Sequence, residues 1–160
     1  MTESAQQLAD LISELERDEA QLRFDTFSND DAWRLGVSLV ELGRSRQLPI
    51  TIDIRRGAQQ LFHAALEGTT PENDSWIERK VRVVERFSAS SYLVGRRLAA
   101  KGATLDAGYG VDPALFATHG GSFPVRVRNV GVVGSVTVSG LAQSEDHALV
   151  VEAIGRFLQP

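Results

Sequence analysis

Residues 119–147 read HGGSFPVRVRNVGVVGSVTVSGLAQSEDH. Within this stretch, 123–127 and 132–138 have the length and β-branched content of strands, with Val132, Val136 and Val138 recurring on one face. The link between them is too short for a parallel crossover, so the two strands form an antiparallel hairpin. Residues 143–158 then read as a helix, with Ser144 as a plausible N-cap and His147, Val150, Val151, Ile154 and Leu158 on its apolar side. Two of the chain's three histidines, His119 and His147, bracket the hairpin.

Working outward, Leu8, Leu11, Ile12 and Leu15 share one helical face, which predicts a helix over 3–19. A short strand is expected over 21–27, with Leu22, Phe24 and Thr26 on one side. Asn29 or Asp30 caps a second helix carrying Ala32, Leu35 and Leu39. After Pro49, Ile50, Ile52 and Ile54 alternate with Thr51, Asp53 and Arg55; a turn at Gly57 leads into a strand over 60–66. Thr70-Pro71 starts a helix that runs to Phe87, because threonine caps and proline suits the first turn. Ser90 or Ser91 opens another, ended by Gly102; 104–118 is less regular, with a brief helical turn at Asp112-Pro113.

This order predicts one α+β domain over 1–160, an antiparallel sheet of about five strands flanked by helices. A doubly wound dinucleotide fold fits poorly, since the glycines at 131–140 do not stand between a strand and a helix. With 42% hydrophobic and 24% charged residues, the composition is that of an ordinary globular protein. A net charge of -4 argues against nucleic acid or anionic membrane as partners. Arginines 55, 56, 79, 82, 96 and 97, with Lys80, form either a local anion patch or solvated helix faces. There is no cysteine, which excludes disulfides, thiolate catalysis and cysteine-bound metals. The amino-terminal segment lacks a signal-type apolar core and no window is apolar enough to span a bilayer, so a cytoplasmic location is expected.

Three groups of residues could carry chemistry. His147, near the positive end of its helix, should be neutral and able to ligate haem iron or another metal; it could equally be a core histidine bonded to a carbonyl. His119-Gly120-Gly121 precedes Phe123, and glycines there either let the backbone approach a flat ligand or simply turn the chain. Phe123 either offers an aromatic face or fills the core. Gly134 leaves a gap on its strand face that a helix, a subunit or a ligand could fill. His63 is the weakest ligand candidate. Trp76 and Lys80, one helical turn apart, and Tyr92 suit an anion, an interface, or packing and capping. No GxSxG or SxxK motif activates a serine.

Two runs, ITIDIRRGAQQLFHAALEGTTPENDSWIERKVRVVERFSASSY at 50–92 and HGGSFPVRVRNVGVVGSVTVSGLAQSEDHALVV at 119–151, resemble the haem-degrading domain family. The chain is similar more distantly to HbpS, GlcG and the carboxy-terminal domain of PduO. The resemblance implies a profilin-like or PAS-like sheet, homo-oligomers, and haem or a related tetrapyrrole as the cofactor. It implies a ligand site at His119, Gly120, Gly121, Phe123 and His147, with the two histidines as the candidate haem-iron ligands. Three functions follow as expectations: an oligomeric haem- or small-ligand-binding protein, protective or sensory; a small-molecule enzyme with a histidine acid–base oriented by Asp146, Glu145 or Asp112; or an oligomeric scaffold.

Overall fold

In the computed structural model, which describes residues 2–159, the amino-terminal helix α1 (Ala5–Gln21) is fixed by a capping box. Ser4 accepts the Gln7 amide while the Gln7 side chain accepts the Ser4 amide. The same device starts α2 (Asn29–Ser45), where Ser28 and Asp31 exchange bonds, so the cap falls one residue before the expected Asn29. The chain continues through β1 (Thr51–Arg56), β2 (Gln59–Ala65), α3 (Pro71–Phe87), α4 (Ser91–Ala100), α5 (Leu105–Tyr109), β3 (Ser122–Val127), β4 (Gly131–Ser139) and α6 (Gln143–Leu158). Thr70 caps α3 and Ser90 caps α4, as their sequence positions predict. Among the described residues no helix is long and apolar enough to cross a membrane.

The sheet is antiparallel throughout, in the order β2-β1-β4-β3. Among the described residues it has four strands rather than five. The segment expected as the first strand is taken up by α1 as far as Gln21, and only Phe24 reaches the sheet, as a single bridge to Val127. The six residues from Leu22 to Phe27, before the Ser28 cap, are too few to run a strand and still enter α2. The short helix α5 lies in the stretch read as irregular; its N-cap, Thr104, makes no side-chain capping bond.

Period-2 alternation gives the sheet two very different faces. Ile50, Ile52, Ile54, Phe123, Val136 and Val138 pack against α2 and α6 in the main hydrophobic core. The opposite face presents Thr51, Asp53, Ser122, Ser135, Thr137 and Ser139, all buried, with α3 across it. Such a face is tolerable only if most of its polar groups find partners; among the described residues the Thr51 hydroxyl has none. Ser122 and Thr137 hydroxyls pair at 2.9 Å, and Asp53 accepts from Arg55 at 2.7 Å and Gln60 at 2.6 Å. A second apolar cluster, with Leu15, Val83, Leu93 and Leu98, joins α1, α3 and α4.

Gly134 answers one question left open by the sequence. The space beside it is filled by neither helix, subunit nor ligand but by the β1 backbone: a Cβ there would lie 1.9 Å from the Arg55 carbonyl oxygen. The glycine sits where the β3–β4 register shifts between Val125 and Arg126. Gly134→Ala should therefore cost about 1–3 kcal/mol through overpacking, read as a lower urea midpoint. An unchanged midpoint would show that the central strands separate freely at this point.

Candidate functional site

One corner of the fold gathers the polar chemistry, where α3, the end of β4 and the start of α6 converge. Lys80 Nζ donates to Asp146 Oδ2 at 3.1 Å and to the Val138 carbonyl at 3.3 Å. Both side chains are almost fully buried, 4% and 3% exposed. Ala142, the N-cap of α6, has no side chain able to cap, and Ser144 lies inside the first turn rather than at the expected cap position. Asp146 instead reaches back to accept the Leu141 amide at 2.9 Å and the Gly140 amide at 3.4 Å. Burial pushes the Lys80 ammonium below its ordinary pKa and the Asp146 carboxyl above its own, and their mutual attraction opposes both shifts.

The paired glycines serve this corner. Gly121 has φ +138°, and a Cβ on it would lie 2.3 Å from the Val138 carbonyl oxygen and 2.7 Å from Lys80 Nζ. At Gly120 a Cβ would meet the Gln143 carbonyl oxygen at 2.2 Å. Their small size thus lets the chain pass close to β4 and α6 and leaves room for the amine.

Just before them, His119 stands exposed on a ridge between two cavities and lines both. The first, roughly 370 Å³, has Leu98, Leu105, Phe116 and Arg79 in its wall. The second, roughly 310 Å³, is bounded by Trp76, Lys80, Ser139, Gln143 and Asp146. The His119 ring meets Trp76 edge to face at 5.0 Å, and the Arg79 guanidinium lies over the same indole at 4.6 Å. Loss of water on its packed side, then the charges of Lys80, Arg79 and Arg96, lower the His119 pKa, so the ring is neutral at pH 7.

The other expected residues lie elsewhere. Phe123 is 1% exposed and fills the main core. His147 is 5% exposed, 5.0 Å from the Tyr92 ring and 5.9 Å from that of Phe123, and both of its ring nitrogens are buried with no hydrogen-bond partner among the described residues. It is neutral as anticipated, but burial is the cause, and it moves the pKa down to about 4. Asp146, considered as an orienting carboxylate, is engaged by Lys80 and two backbone amides instead. Asp112 caps a turn through the Ala114 amide, and Glu145 is exposed. His63 pairs with Asp74 at 2.6 Å on the surface. The Lys80–Asp146 pair joins residues 66 positions apart, so no local pattern announces it. One signal was present: Lys80 and Lys101 are the only lysines in the chain, among 17 basic residues.

The chain matches the family described as haem degrading protein HbpS-like over residues 27–155. It is 60% identical over 150 residues to a UPF0303 protein of Streptomyces coelicolor, covering 94% of this chain and 95% of that one. The crystal structure of the Ybr137w protein superposes with a TM-score of 0.88 at 28% identity, covering 98% and 94% of the two chains. A PduOC–haem complex shares the fold, with a TM-score of 0.67 at 18% identity over 81% of this chain and 94% of that one.

His147 generates a pH prediction. Unfolded, an imidazole protonates near 6.5; in the fold this one resists until about 4. Between those values the unfolded chain binds the proton and the folded one does not. Stability should therefore fall as pH drops through this window, by about 3 kcal/mol from this ring, and be untouched by it above pH 7. Urea denaturation at pH 7 and pH 4.5 checks it: His147→Leu should lose markedly less stability between the two than the parent. Equal losses would mean the ring is solvated in the fold.

Proposed function

The chain belongs to the HbpS-like haem degrading protein family, and from that premise we propose that it binds haem or a related flat, acidic small ligand against His119. The observation that carries this reading is the neutral imidazole on the ridge between two cavities, backed by Trp76 and surrounded by cations. A neutral ring nitrogen is what ferric or ferrous iron takes as an axial ligand. Leu98, Leu105 and Phe116 supply the apolar wall a porphyrin face needs, and Arg79 supplies a charge for a carboxylate. Bound haem would bring redox-active iron with its own ring of nitrogen donors, so one imidazole from the protein suffices. The PduOC–haem complex supports the choice of ligand by its fold.

His119 is exposed in the protomer, and we assign the closing of its site to a neighbouring subunit in a cytoplasmic homo-oligomer. Gly120 and Gly121 follow the ring and hold its backbone close to β4 and α6, while Phe123 and His147 belong to the packed interior rather than to the cavity walls. His119 is the iron ligand in this arrangement, and His147 is not required as one.

Haem titration followed by absorbance tests the reading. The parent chain should give a saturable Soret shift at one haem per chain, weakened about tenfold or more in His119→Ala and unaltered in His63→Ala. A broad change indifferent to His119→Ala would overturn it. Sedimentation velocity at micromolar concentration should show an assembly larger than the monomer for parent and variant alike.

A further inference from the structure

We propose that Lys80 is a reactive amine that forms a Schiff base with a small aldehyde or ketone entering the cavity of roughly 310 Å³, with Asp146 carrying the proton. The chemistry does not require haem and uses the cavity on the other side of His119.

The geometry supplies each requirement. Lys80 of α3 lines a cavity that opens to the surface, although its side chain is only 4% exposed. The absence of a Cβ at Gly121 keeps open the space beside the nitrogen, since an alanine there would crowd it at 2.7 Å. Trp76 gives one wall an apolar surface for a short carbon chain, and Ser139, Asn73 and Gln143 provide polar groups around it. The choice of side chain points the same way. Apart from Lys80 itself and the exposed Lys101, every Lys or Arg position of this chain is arginine. A buried charge meant only to pair with Asp146 is well served by a guanidinium, which never gives up its proton; an amine can do so and then attack carbon. Burial, which disfavours the ammonium, assists that release.

The step balances without an added reagent. Asp146, whose Oδ2 is 3.1 Å away, takes a proton from the Lys80 ammonium. The freed lone pair forms a C–N bond with the carbonyl carbon, and the C=O π electrons move to oxygen. After the nitrogen's surplus proton reaches that oxygen, Asp146 returns its own proton to the resulting hydroxyl. Water departs with the C–O electron pair as the nitrogen lone pair closes C=N. Ammonium and carbonyl thus become iminium and water, and the iminium charge remains opposite the Asp146 carboxylate.

The two-lysine composition makes the test clean. The intact protein is incubated at neutral pH with propionaldehyde and sodium cyanoborohydride, which reduces an iminium to a stable propyl amine, and is then mapped by peptide mass spectrometry. Lys80 should be labelled at least about tenfold faster than the exposed Lys101, and Asp146→Asn should slow Lys80 alone. Circular dichroism verifies that this variant is folded, and the parent's own Lys80-to-Lys101 ratio decides the matter if it is not. In denaturant the two lysines should label alike. Labelling of Lys80 no faster than Lys101 in the folded protein overturns the proposal. Neither outcome depends on whether His119 binds haem, because no haem is present.

Discussion

A buried amine from α3 and a buried carboxylate from α6 meet at 3.1 Å, and the polar corner of this protein is arranged around that contact. Moving either charge out of water costs several kcal/mol, which only close pairing and further hydrogen bonds can offset. The chain provides both: the Val138 carbonyl for the amine, and the Gly140 and Leu141 amides for the carboxylate. Because those partners belong to the end of β4 and the loop after it, one ion pair fixes the approach of two helices to the sheet. It also sets the start of α6, where Asp146 ties down the Gly140 and Leu141 amides that lead into the helix.

The sheet supports this corner through the contrast between its faces. The isoleucines and valines facing α2 and α6 make a dry core of the usual kind. The hydroxyls and Asp53 on the other side ask α3 to cover polar groups, and it does so with an amphipathic mixture of Ile77, Val81 and Val84 with Lys80. Hydrogen bonds are directional, whereas apolar contacts are not. A helix seated over such a face is therefore held in register by specific bonds, such as Asn73 to the Ser139 carbonyl at 3.4 Å.

Much of this architecture is legible in the sequence because it is written in short-range terms. The Ile50-Ile52-Ile54 alternation, the Thr70-Pro71 start and the 123–138 hairpin each depend on neighbours within a few residues, and each stands where it was expected. The expected fifth strand does not form because Leu22, Phe24 and Thr26 alternate correctly but lack the length to pair, and only Phe24 bridges to β3. His119 reads from sequence as a residue beside a tight turn, and that turn does set it on the cavity wall. Its partners do not read the same way. Trp76, Lys80 and Asp146 come together only once α3 and α6 are laid against β4, and no periodicity encodes that meeting. The two unpartnered nitrogens of His147 were equally hidden, since its apolar spacing predicts burial but not the lack of a hydrogen-bond partner.

The ridge occupied by His119 has a thermodynamic side. A ring that bounds two cavities belongs energetically to both, so an occupant that tilts it, or changes its protonation, alters the wall its neighbour would touch. Linkage makes that influence mutual: the factor by which one occupant changes the affinity of the other is the same in either direction. With Trp76 against one side of the ring and cations beside it, two chemically different compartments share a single side chain as their partition, so anything that occupied one would be felt in the other through that ring.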